Sequence, residues 1–352
     1  MIYLFDSSSN LSKSGHEDFY NKKLISSISE SYSLLEKIPF QYLHRNKLSK
    51  TRIFLSTFLN LFNIIKKDKC IIILPTPTTH DILCLYILST ITKAKIIFFK
   101  RRIFDDNLSK EALLNFFLRF LFSKSNFVLV SDSNKILSTE NTLNETFKID
   151  IPNREFSEIL KPVEVNIPES VGLIFAFTGV LREEKGVYLY EDIIKRTLNK
   201  IPHSIFLIHA VANDKNMKKK LEDLEKTFKL NSRVIFLSRY ISDEEYAWIL
   251  NKIDVLVLPY NVKSYSSGTS GPFMEALSCG KKIVSTKLDW AFEKFCDNSN
   301  IFWVDELNPS SFEVATSKLT KDSVSLVDNK IFHISSSFKN SWEEAIKYTL
   351  KL

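Results

Sequence analysis

The feature that most constrains the fold of this chain is a repeated alternation of short apolar runs with longer segments of helical periodicity. Apolar residues recur at helical spacing at Leu24, Ile28, Tyr32 and Leu35, and again at Leu221, Leu224 and Phe228. The runs between such segments are rich in β-branched and aromatic residues, which is typical of strands buried on both faces. They are 2–5, 70–74, 95–99, 127–130, 171–177, 204–209, 234–237, 255–259 and 282–285. The alternation predicts parallel α/β architecture.

One segment breaks this rhythm and predicts a domain boundary. Residues 151–170 contain three prolines and little periodicity, which is typical of a connector. A chain of 352 residues is long enough for two domains. We expect one doubly wound α/β domain over residues 1–163 and a second over 164–335, with a cleft between them. Residues 336–352 are predicted to form a helix that packs back on the first domain.

Composition narrows the class of protein. An aromatic content of 12% and a charged content of 25% argue against disorder. No apolar run approaches the roughly 20 residues of a membrane span, and the N-terminus lacks the basic start of a signal peptide. The four cysteines have no paired spacing, which predicts buried free thiols in a reducing compartment. We expect a cytoplasmic protein, attached at most to the inner face of the plasma membrane.

All of the excess positive charge lies in the first half of the chain. Residues 1–163 carry 23 Lys and Arg against 16 Asp and Glu, whereas the remainder carries 25 of each. This asymmetry indicates an anionic partner, such as lipid headgroups or a phosphorylated substrate, with a solvated basic surface as the alternative. No nucleic-acid recognition motif accompanies it. Residues 45–69 place seven basic residues around an apolar centre, which fits either an interfacial membrane helix or a core helix with basic ends.

The stretch SYSSGTSGPFMEALSCGKK at 264–282 contains three of the seven glycines. It follows an apolar run that ends at Pro259. A helix is predicted from Gly271–Pro272 to just before Gly280, with Ser270 as its cap. This arrangement puts a helix N-terminus at the carboxyl end of a parallel strand, where backbone N–H groups and the helix dipole favour phosphate. The stretch therefore predicts a phosphate-binding loop.

Two further features accompany this loop. Glu275 is predicted in the first turn of this helix, where a carboxylate either complements the helix dipole or accepts hydrogen bonds from ribose hydroxyls. The upstream stretch FTGVLREEKGVYLYEDIIKR has the same form, with a strand that ends at Gly179 and a helix that starts near Gly186. Lys185 and Arg182 lie in its charged turn, within reach of an anion held between the two loops.

Taken together, these motifs match a family. TGVLREEKG, RVIFLSRYISDEEYAWILNKIDVLVLPY and SSGTSGPFMEALSCGKKIVST occur in the order found in retaining glycosyltransferases of the GT-B fold, and the second half resembles glycosyltransferase family 4 over roughly 171–290. The first half agrees more loosely, at GHEDFYNKKL, FVLVSDS and IPN. The resemblance implies two Rossmann-like domains with parallel sheets.

The resemblance also implies roles for particular residues. A UDP- or GDP-linked sugar would bind mainly to the second domain and the acceptor to the first. Lys185 matches a lysine that contacts the diphosphate, and Glu275 matches a carboxylate that holds the ribose. The matching donor site also includes Gly15, Gly179, Arg182, Ser267, Gly268, Ser270 and the helix start at Gly271, Pro272 and Phe273. No metal is expected, because the chain has no Asp-x-Asp, the pattern of the metal-dependent GT-A alternative.

This sequence departs from the family pattern at two positions. Val180 stands where the family usually has an arginine, so Arg182 is the candidate to supply that charge from a shifted position. Ser267 stands where many relatives have a second glutamate, eight residues before Glu275. The identity of the donor sugar is therefore harder to infer.

The first half offers candidates for the acceptor side. Gly15 and His16 are predicted on the loop after the first strand, and His80 follows a later strand. Either histidine is a candidate catalytic contact to the donor sugar or acceptor, although a lone histidine is more often structural. Lys100, Arg101 and Arg102 follow the strand at 95–99 and are candidates to bind an anionic acceptor such as a lipid-linked diphosphate.

The sequence therefore predicts a retaining, metal-independent glycosyltransferase with a nucleotide-sugar donor and a saccharide acceptor. By analogy with relatives, we expect a lipid-linked acceptor and a role in bacterial surface polysaccharide biosynthesis, as in O-antigen, capsule or lipopolysaccharide. Two alternatives stay open: a GT-B-shaped sugar-nucleotide epimerase, and a catalytically silent GT-B protein that serves as a binding or scaffolding partner.

Overall fold

The computed structural model describes most of the chain. The described residues are 2–5, 16–29, 35–37, 50–66, 70–75, 77–91, 93–100, 109–140, 142–150, 161–165, 167–168, 172–263, 265, 269–320 and 334–352. The chain divides into two compact units. One consists of Met1–Pro152 together with His333–Leu352, and the other is Asn153–Phe332.

The first unit is built on a six-stranded parallel sheet. Its strands are β1 (Ile2–Leu4), β2 (Leu35–Lys37), β3 (Ile71–Leu74), β4 (Lys95–Phe99), β5 (Phe127–Ser131) and β6 (Phe147–Lys148), in the order β2-β1-β3-β4-β5-β6. Every neighbouring pair is parallel. The first five helices are α1 (His16–Ser29), α2 (Lys50–Ile65), α3 (Thr79–Leu88), α4 (Ser109–Phe122) and α5 (Asn134–Thr139).

Apolar side chains cover both faces of this sheet. On one face, α2, α3 and α4 pack on strand residues such as Ile72 and Phe98. On the other face, α1 is joined by a helix from the far end of the chain, α12 (Ile334–Lys351). Its Trp342 is fully buried and donates a hydrogen bond from Nε1 to Tyr20 Oη at 3.2 Å. The last helix therefore belongs to the core of the first unit.

The second unit repeats this design with a different strand order. Its strands are β7 (Ile174–Val180), β8 (Ile205–Val211), β9 (Val234–Leu237), β10 (Val255–Leu258), β11 (Lys282–Thr286) and β12 (Ile301–Val304), arranged β12-β11-β10-β7-β8-β9. All are parallel. The helices are α6 (Tyr190–Lys200), α7 (Lys215–Phe228), α8 (Asp243–Lys252), α9 (Gly271–Ser278), α10 (Asp289–Phe295) and α11 (Pro309–Ser317). The order reverses between β7 and β10, as in a Rossmann sheet.

The predicted fold class is confirmed, with local corrections. All nine predicted runs form strands, but the structure adds β2, β6 and β12. Leu35, which the periodicity assigned to a helix with Leu24 and Ile28, begins β2 instead, and α1 ends at Ser29. Of the predicted buried thiols, Cys70 and Cys84 are buried, whereas Cys279 and Cys296 are exposed.

Candidate functional site

The candidate site lies where the strand order of the second unit reverses. Ligands of open α/β sheets bind outside the carboxyl ends of the strands at such a switch point. Here the two strands concerned are β7 and β10. The chain leaves β7 through the turn that carries Lys185, and it leaves β10 through the loop that leads into α9. Both sequence-predicted phosphate loops therefore lie at the same edge of the same sheet.

Gly186 allows these two loops to pack tightly together. It adopts φ +69°, and a Cβ placed on it would lie 1.8 Å from the carbonyl oxygen of Pro259, at the end of β10. The Asn261 N–H also donates a hydrogen bond to the Glu184 carbonyl oxygen at 2.8 Å. The backbone of the β7 turn is thus fixed against the loop after β10. Because Gly186 is left-handed, the predicted helix starts later, at Tyr190, after the short 3₁₀ turns Glu183–Lys185 and Val187–Leu189.

Lys185 is buried at this junction, with 8% of its surface exposed. Its Nζ lies 6.0 Å from the centroid of the Tyr260 ring. Burial, and to a lesser extent the nearby Arg182 charge, lower the pKa of Lys185 to about 8, while Glu184 and Glu275 oppose the shift. The carboxylates do not restore the ordinary pKa, so the ammonium group is only partly compensated. A buried cation of this kind is suited to an anionic ligand.

Gly179 keeps the space beside Lys185 open. It lies in β7 with φ +103°, and a Cβ placed on it would come within 3.3 Å of the Lys185 Nζ. Arg182, the proposed substitute for the family arginine, caps the first 3₁₀ turn. Its side chain is 58% exposed, and Nη1 lies 3.7 Å from Glu184 Oε1. Arg182 is therefore near Lys185 but largely in solvent, where its charge is screened.

The predicted helix start at Gly271 is confirmed, together with its cap. Ser270 is buried, and its Oγ accepts a hydrogen bond from the Phe273 N–H at 3.2 Å. Pro272 has no N–H, and that of Phe273 is engaged by the cap. Of the three residues predicted to face the phosphates, Gly271 alone retains an N–H that neither proline nor the cap removes. At this helix start, the Gly271 N–H is therefore the candidate donor to a bound phosphate.

Buried tyrosines support the cap from behind. The Tyr260 hydroxyl lies 3.3 Å from Ser270 Oγ, and the rings of Tyr260 and Tyr265 contact each other with centroids 4.5 Å apart. Burial raises the pKa of Tyr265 to about 12. These phenols are therefore neutral at physiological pH, and they place no negative charge beside Lys185. The loop is fixed by uncharged contacts.

Glu275 is buried and lies in the second turn of α9 rather than in the predicted first turn, because the helix begins at Gly271. Its charge raises the pKa of Lys185, so the carboxylate is close enough to act on the ammonium group. The fold thus brings Lys185 and Glu275 to one place. Their roles toward diphosphate and ribose stay predictions.

The structure adds three residues that the sequence analysis did not single out. His209 on β8 is buried, and its ring lies 6.1 Å, centroid to centroid, from the ring of Tyr246 on α8. The Tyr246 hydroxyl is 3.4 Å from Thr178 Oγ1 on β7. The available signal was a histidine near the carboxyl end of an otherwise apolar strand. Neither Thr178 nor Tyr246 stands out in the sequence, because both contacts depend on strand pairing.

Arg239 and Glu245 form an ion pair next to this group. The guanidinium donates from Nη2 to Glu245 Oε1 at 2.7 Å and from Nη1 to Oε2 at 3.3 Å. Glu245 also closes a capping box with Ser242 at the start of α8. The Arg239 hydrogen bonds hold the pKa of Glu245 at about 2. The loop between β9 and α8 is therefore fixed at the same sheet edge.

The acceptor-side candidates lie in the first unit. His16 is the first residue of α1 rather than a loop residue, and His80 lies in the first turn of α3. Lys100 is buried, and its Nζ forms an ion pair with Glu140 Oε1. This pairing neutralises Lys100, so binding to an anionic acceptor would first have to break it. The remaining candidates lie outside the described residues: Gly15, Arg101, Arg102, Ser267 and Gly268.

The described residues hold no group of three or more His, Cys, Asp or Glu side chains arranged to bind a metal ion, and metal independence stays a prediction. None of their helices is long and apolar enough to span a bilayer.

Comparison with family models bears directly on the second unit. Residues 172–322 match the family described as glycosyl transferases group 1. The match covers both loops of the candidate site, and it confirms the resemblance found in the sequence. No curated protein matches the chain.

Solved structures extend the likeness to the whole chain. The E. coli trehalose-6-phosphate structure bound with UDP-2-fluoro glucose has a TM-score of 0.66 at 14% identity, covering 100% of this chain and 99% of that one. Anabaena Alr3699/HepE in complex with UDP has a TM-score of 0.60 at 14% identity, with coverage of 99% and 97%. The S. aureus MnaA–UDP structure has 0.58 at 13%, with coverage of 100% and 96%. At these identities the likeness shows the fold, which is GT-B.

Proposed function

We propose that the chain is a retaining glycosyltransferase that moves a sugar from a uridine diphosphate donor to a hydroxyl group of a saccharide acceptor. The observation that carries the proposal is the buried Lys185 ammonium group beside the buried Glu275 carboxylate, at the switch point of the second sheet. The group 1 match over 172–322 supports a sugar-nucleotide donor. The uridine nucleotides in the three structural neighbours support uridine as its nucleoside.

The proposed chemistry needs no nucleophile from the protein. The acceptor oxygen bonds to the anomeric carbon on the face from which the diphosphate departs, and the bond between that carbon and the diphosphate oxygen breaks. The hydroxyl proton passes to the departing phosphate. The main contribution of the protein is then to stabilise the negative charge that develops on the diphosphate. Lys185 supplies a buried positive charge for this purpose, with Arg182 nearby, so the proposal includes no metal ion.

The proposed acceptor is a lipid-linked saccharide used in assembly of a cell-surface polysaccharide. Its support comes from the outer surface of the layer formed by α2, α3 and α4 in the first unit. The inner faces of these helices are buried, with Leu61, Leu85 and Leu118 in the core. Their outer faces, together with the turn after α3, leave six large apolar side chains 48% to 64% exposed: Leu55, Leu59, Ile87, Ile91, Leu113 and Phe116. We call these six residues the apolar outer row.

The apolar outer row is accompanied by positive charge. Lys66 Nζ lies 4.3 Å from the centroid of the Phe62 ring, and Lys124 Nζ lies 4.4 Å from that of Phe120. The first 163 residues carry all of the net charge of +7. Exposed apolar side chains with basic neighbours suit the surface of an anionic bilayer. We therefore propose that this layer docks on the inner face of the membrane, where a lipid-linked acceptor would be found.

The donor site is tested by two substitutions with matched controls. Lys185→Ala and Glu275→Ala should each lower kcat/KM for sugar transfer by about 10²–10³-fold, the scale of losing a buried electrostatic contact to the transition state. Lys229→Ala and Glu222→Ala remove the same charges from exposed positions of the same unit and should leave kcat/KM unchanged. Unaltered melting temperatures would show that each variant folds. Normal transfer by both site variants would reject the proposal.

The assay also separates the alternatives. A panel of UDP- and GDP-linked sugars is incubated with and without saccharide acceptors, and products are resolved by mass spectrometry and NMR. A glycosyltransferase consumes the donor in step with acceptor and releases the nucleoside diphosphate. Interconversion of the free sugar nucleotide without acceptor would indicate an epimerase. No binding of any panel member in thermal-shift measurements would indicate a silent GT-B protein.

A further inference from the structure

His209 is a buried polar side chain whose ring nitrogens lack partners. It is 7% exposed, and neither Nδ1 nor Nε2 has a hydrogen-bond partner among the described residues. The Arg239 backbone lies beside the ring and raises its pKa, but no hydrogen bond of ordinary geometry forms. Leaving both nitrogens of a buried imidazole unpaired destabilises the folded protein. Such a group is explained most simply if a bound molecule supplies the partner.

The position of His209 links it to the candidate site. It lies near the carboxyl end of β8, in register with Thr178 of the switch-point strand β7. Lys185 is close enough for its charge to lower the pKa of the His209 ring, as is Arg239 from the loop after β9. Tyr246 covers the ring from α8. His209 therefore lies at the same sheet edge as the proposed donor site, one strand beyond Lys185.

The environment of the ring fixes its charge. Burial is the main cause that lowers the pKa of His209 to about 4, and the Arg239 and Lys185 charges act in the same direction. The imidazole is therefore neutral at physiological pH. A neutral imidazole has one N–H donor and one nitrogen acceptor. It can bond a group that offers both functions, without adding charge to the site.

We propose that His209 hydrogen-bonds the nucleoside part of the donor nucleotide. This inference rests on the proposed function, since it assumes a nucleotide at the switch point. The ribose hydroxyls donate and accept, and the edge of uracil alternates carbonyl acceptors with an N–H donor. Either group is complementary to a neutral imidazole.

Two features favour the nucleoside over the diphosphate as the ligand of His209. A neutral ring lacks the charge that stabilises phosphate, whereas the cationic Lys185 and the N–H of Gly271 lie at the switch point itself. His209 lies on the opposite side of β7 from β10 in the strand order, toward Arg239. A nucleotide anchored by its phosphates at Lys185 can place its nucleoside there.

The test compares two ligands that differ only by the nucleoside. Binding of UDP and of inorganic pyrophosphate is measured by calorimetry for the wild type, His209→Leu, His209→Gln and Lys185→Ala. His209→Leu should weaken UDP binding about tenfold, which corresponds to about 1.4 kcal/mol, and leave pyrophosphate binding unchanged. His209→Gln keeps a donor and an acceptor and should retain most of the UDP affinity. Lys185→Ala should weaken both ligands.

The unliganded melting temperature provides a readout that a structural histidine would not give. Replacing an unpaired buried imidazole by leucine removes a desolvated polar group, so His209→Leu should melt about 2–4 °C higher than the wild type. Thr197→Val serves as the control, because Thr197 is buried in α6 of the same unit and bonded to Thr316. It should leave UDP affinity unchanged. Higher stability combined with weaker UDP binding identifies a ligand-binding group.

The outcomes separate this inference from the proposed function. If the wild type binds no UDP, GDP or ADP, the donor site itself is rejected and the inference falls with it. If the wild type binds UDP and both His209 variants bind it equally well, the inference alone is wrong. Equal losses for UDP and pyrophosphate in His209→Leu would also overturn it, because they would place the effect at the phosphates. If His209→Leu does not fold, His209→Gln and His209→Asn decide by the same comparison.

Discussion

At the scale of single residues, the candidate site consists of groups whose ionisation is set by burial. The pKa of Lys185 is lowered to about 8, that of His209 to about 4, and that of Tyr265 is raised to about 12. In each case desolvation is the largest cause, and it favours the neutral form. A bound diphosphate would oppose this effect at Lys185, because an adjacent anion favours the charged ammonium group.

This opposition predicts a pH-dependent donor affinity. If bound UDP raises the pKa of Lys185 above about 8, the complex holds more protons than the free protein between the two pKa values, so affinity falls as pH rises through that window. Calorimetry in buffers of different ionisation enthalpy should detect proton uptake near pH 8. Within this window, the affinity for UDP should fall by up to about tenfold per pH unit.

Lys185→Arg is the control for this pH dependence. The guanidinium group stays protonated throughout the window, so its UDP affinity should be flat with pH even if it is weaker overall. A wild-type affinity that does not change across the window would mean that Lys185 does not contact the phosphates. The same fall in Lys185→Arg would assign the titration to another group.

The sequence predicted some of these residues and missed others for a physical reason. Lys185 and Glu275 were predicted because each lies in a local pattern, a glycine-bounded turn or a capped helix. His209, Thr178 and Tyr246 are brought together only by strand pairing and helix packing, which no local pattern encodes. The Ser270 cap, whose Oγ accepts a hydrogen bond from the Phe273 N–H, was predicted because it too lies in a local pattern.

At the scale of elements, the decisive feature is the contact between the turn after β7 and the loop after β10. This backbone contact positions Lys185, in the turn after β7, close to α9, which carries Glu275. Gly186 is required for it, since only glycine adopts a left-handed conformation at low cost while also leaving room for the Pro259 carbonyl.

Gly186→Ala should therefore damage both stability and activity. The left-handed conformation alone costs about 1–2 kcal/mol for alanine, and the clash with Pro259 forces the loops apart. We expect a loss of about 2–4 kcal/mol in the free energy of unfolding, measured by urea denaturation. Transfer activity should fall as well, because Lys185 moves with the turn.

Gly172→Ala is the matched control for this element. Its Cβ would meet the His203 carbonyl oxygen at 3.4 Å, which is close to ordinary contact, and its backbone is not left-handed. It should change stability by less than about 1 kcal/mol and leave transfer intact. A Gly186→Ala variant as stable and active as this control would show that the contact between the loops does not position the site.

The elements that the sequence missed share a position in the fold. β2, β6 and β12 all lie at sheet edges, whereas eight of the nine predicted strands lie inside a sheet and β9 is the remaining edge. β2 and β6 have only three and two residues, and β12 is only partly buried at its centre. An edge strand has one neighbour, so fewer of its residues need to be apolar. Central strands are predictable because burial on both faces forces a continuous apolar run.

At the scale of the whole molecule, the first unit is completed by the last part of the chain. Besides Trp342, the helix α12 contributes Phe338 and Ile346 to the core, and the Lys95 Nζ donates to the Leu350 carbonyl oxygen at 3.2 Å. This helix covers one face of the first sheet, whereas α2, α3 and α4 cover the other with the apolar outer row exposed. The net positive charge and the exposed apolar surface thus occur in the same unit.

The membrane proposal can be tested on this surface. Wild-type protein should co-sediment with phosphatidylcholine vesicles that contain phosphatidylglycerol and less with phosphatidylcholine alone, and binding should weaken as salt is raised. The double substitution Leu59→Glu and Phe116→Glu removes apolar area and adds two negative charges. It should lower the partition coefficient at least about tenfold, since each charge near an anionic surface contributes about 1 kcal/mol and lost apolar burial adds to it.

Leu230→Glu, at a 97% exposed leucine of the second unit, is the control and should bind like the wild type. Equal binding by the wild type and the double variant, or no vesicle binding by the wild type, would mean that the outer row does not dock on lipid.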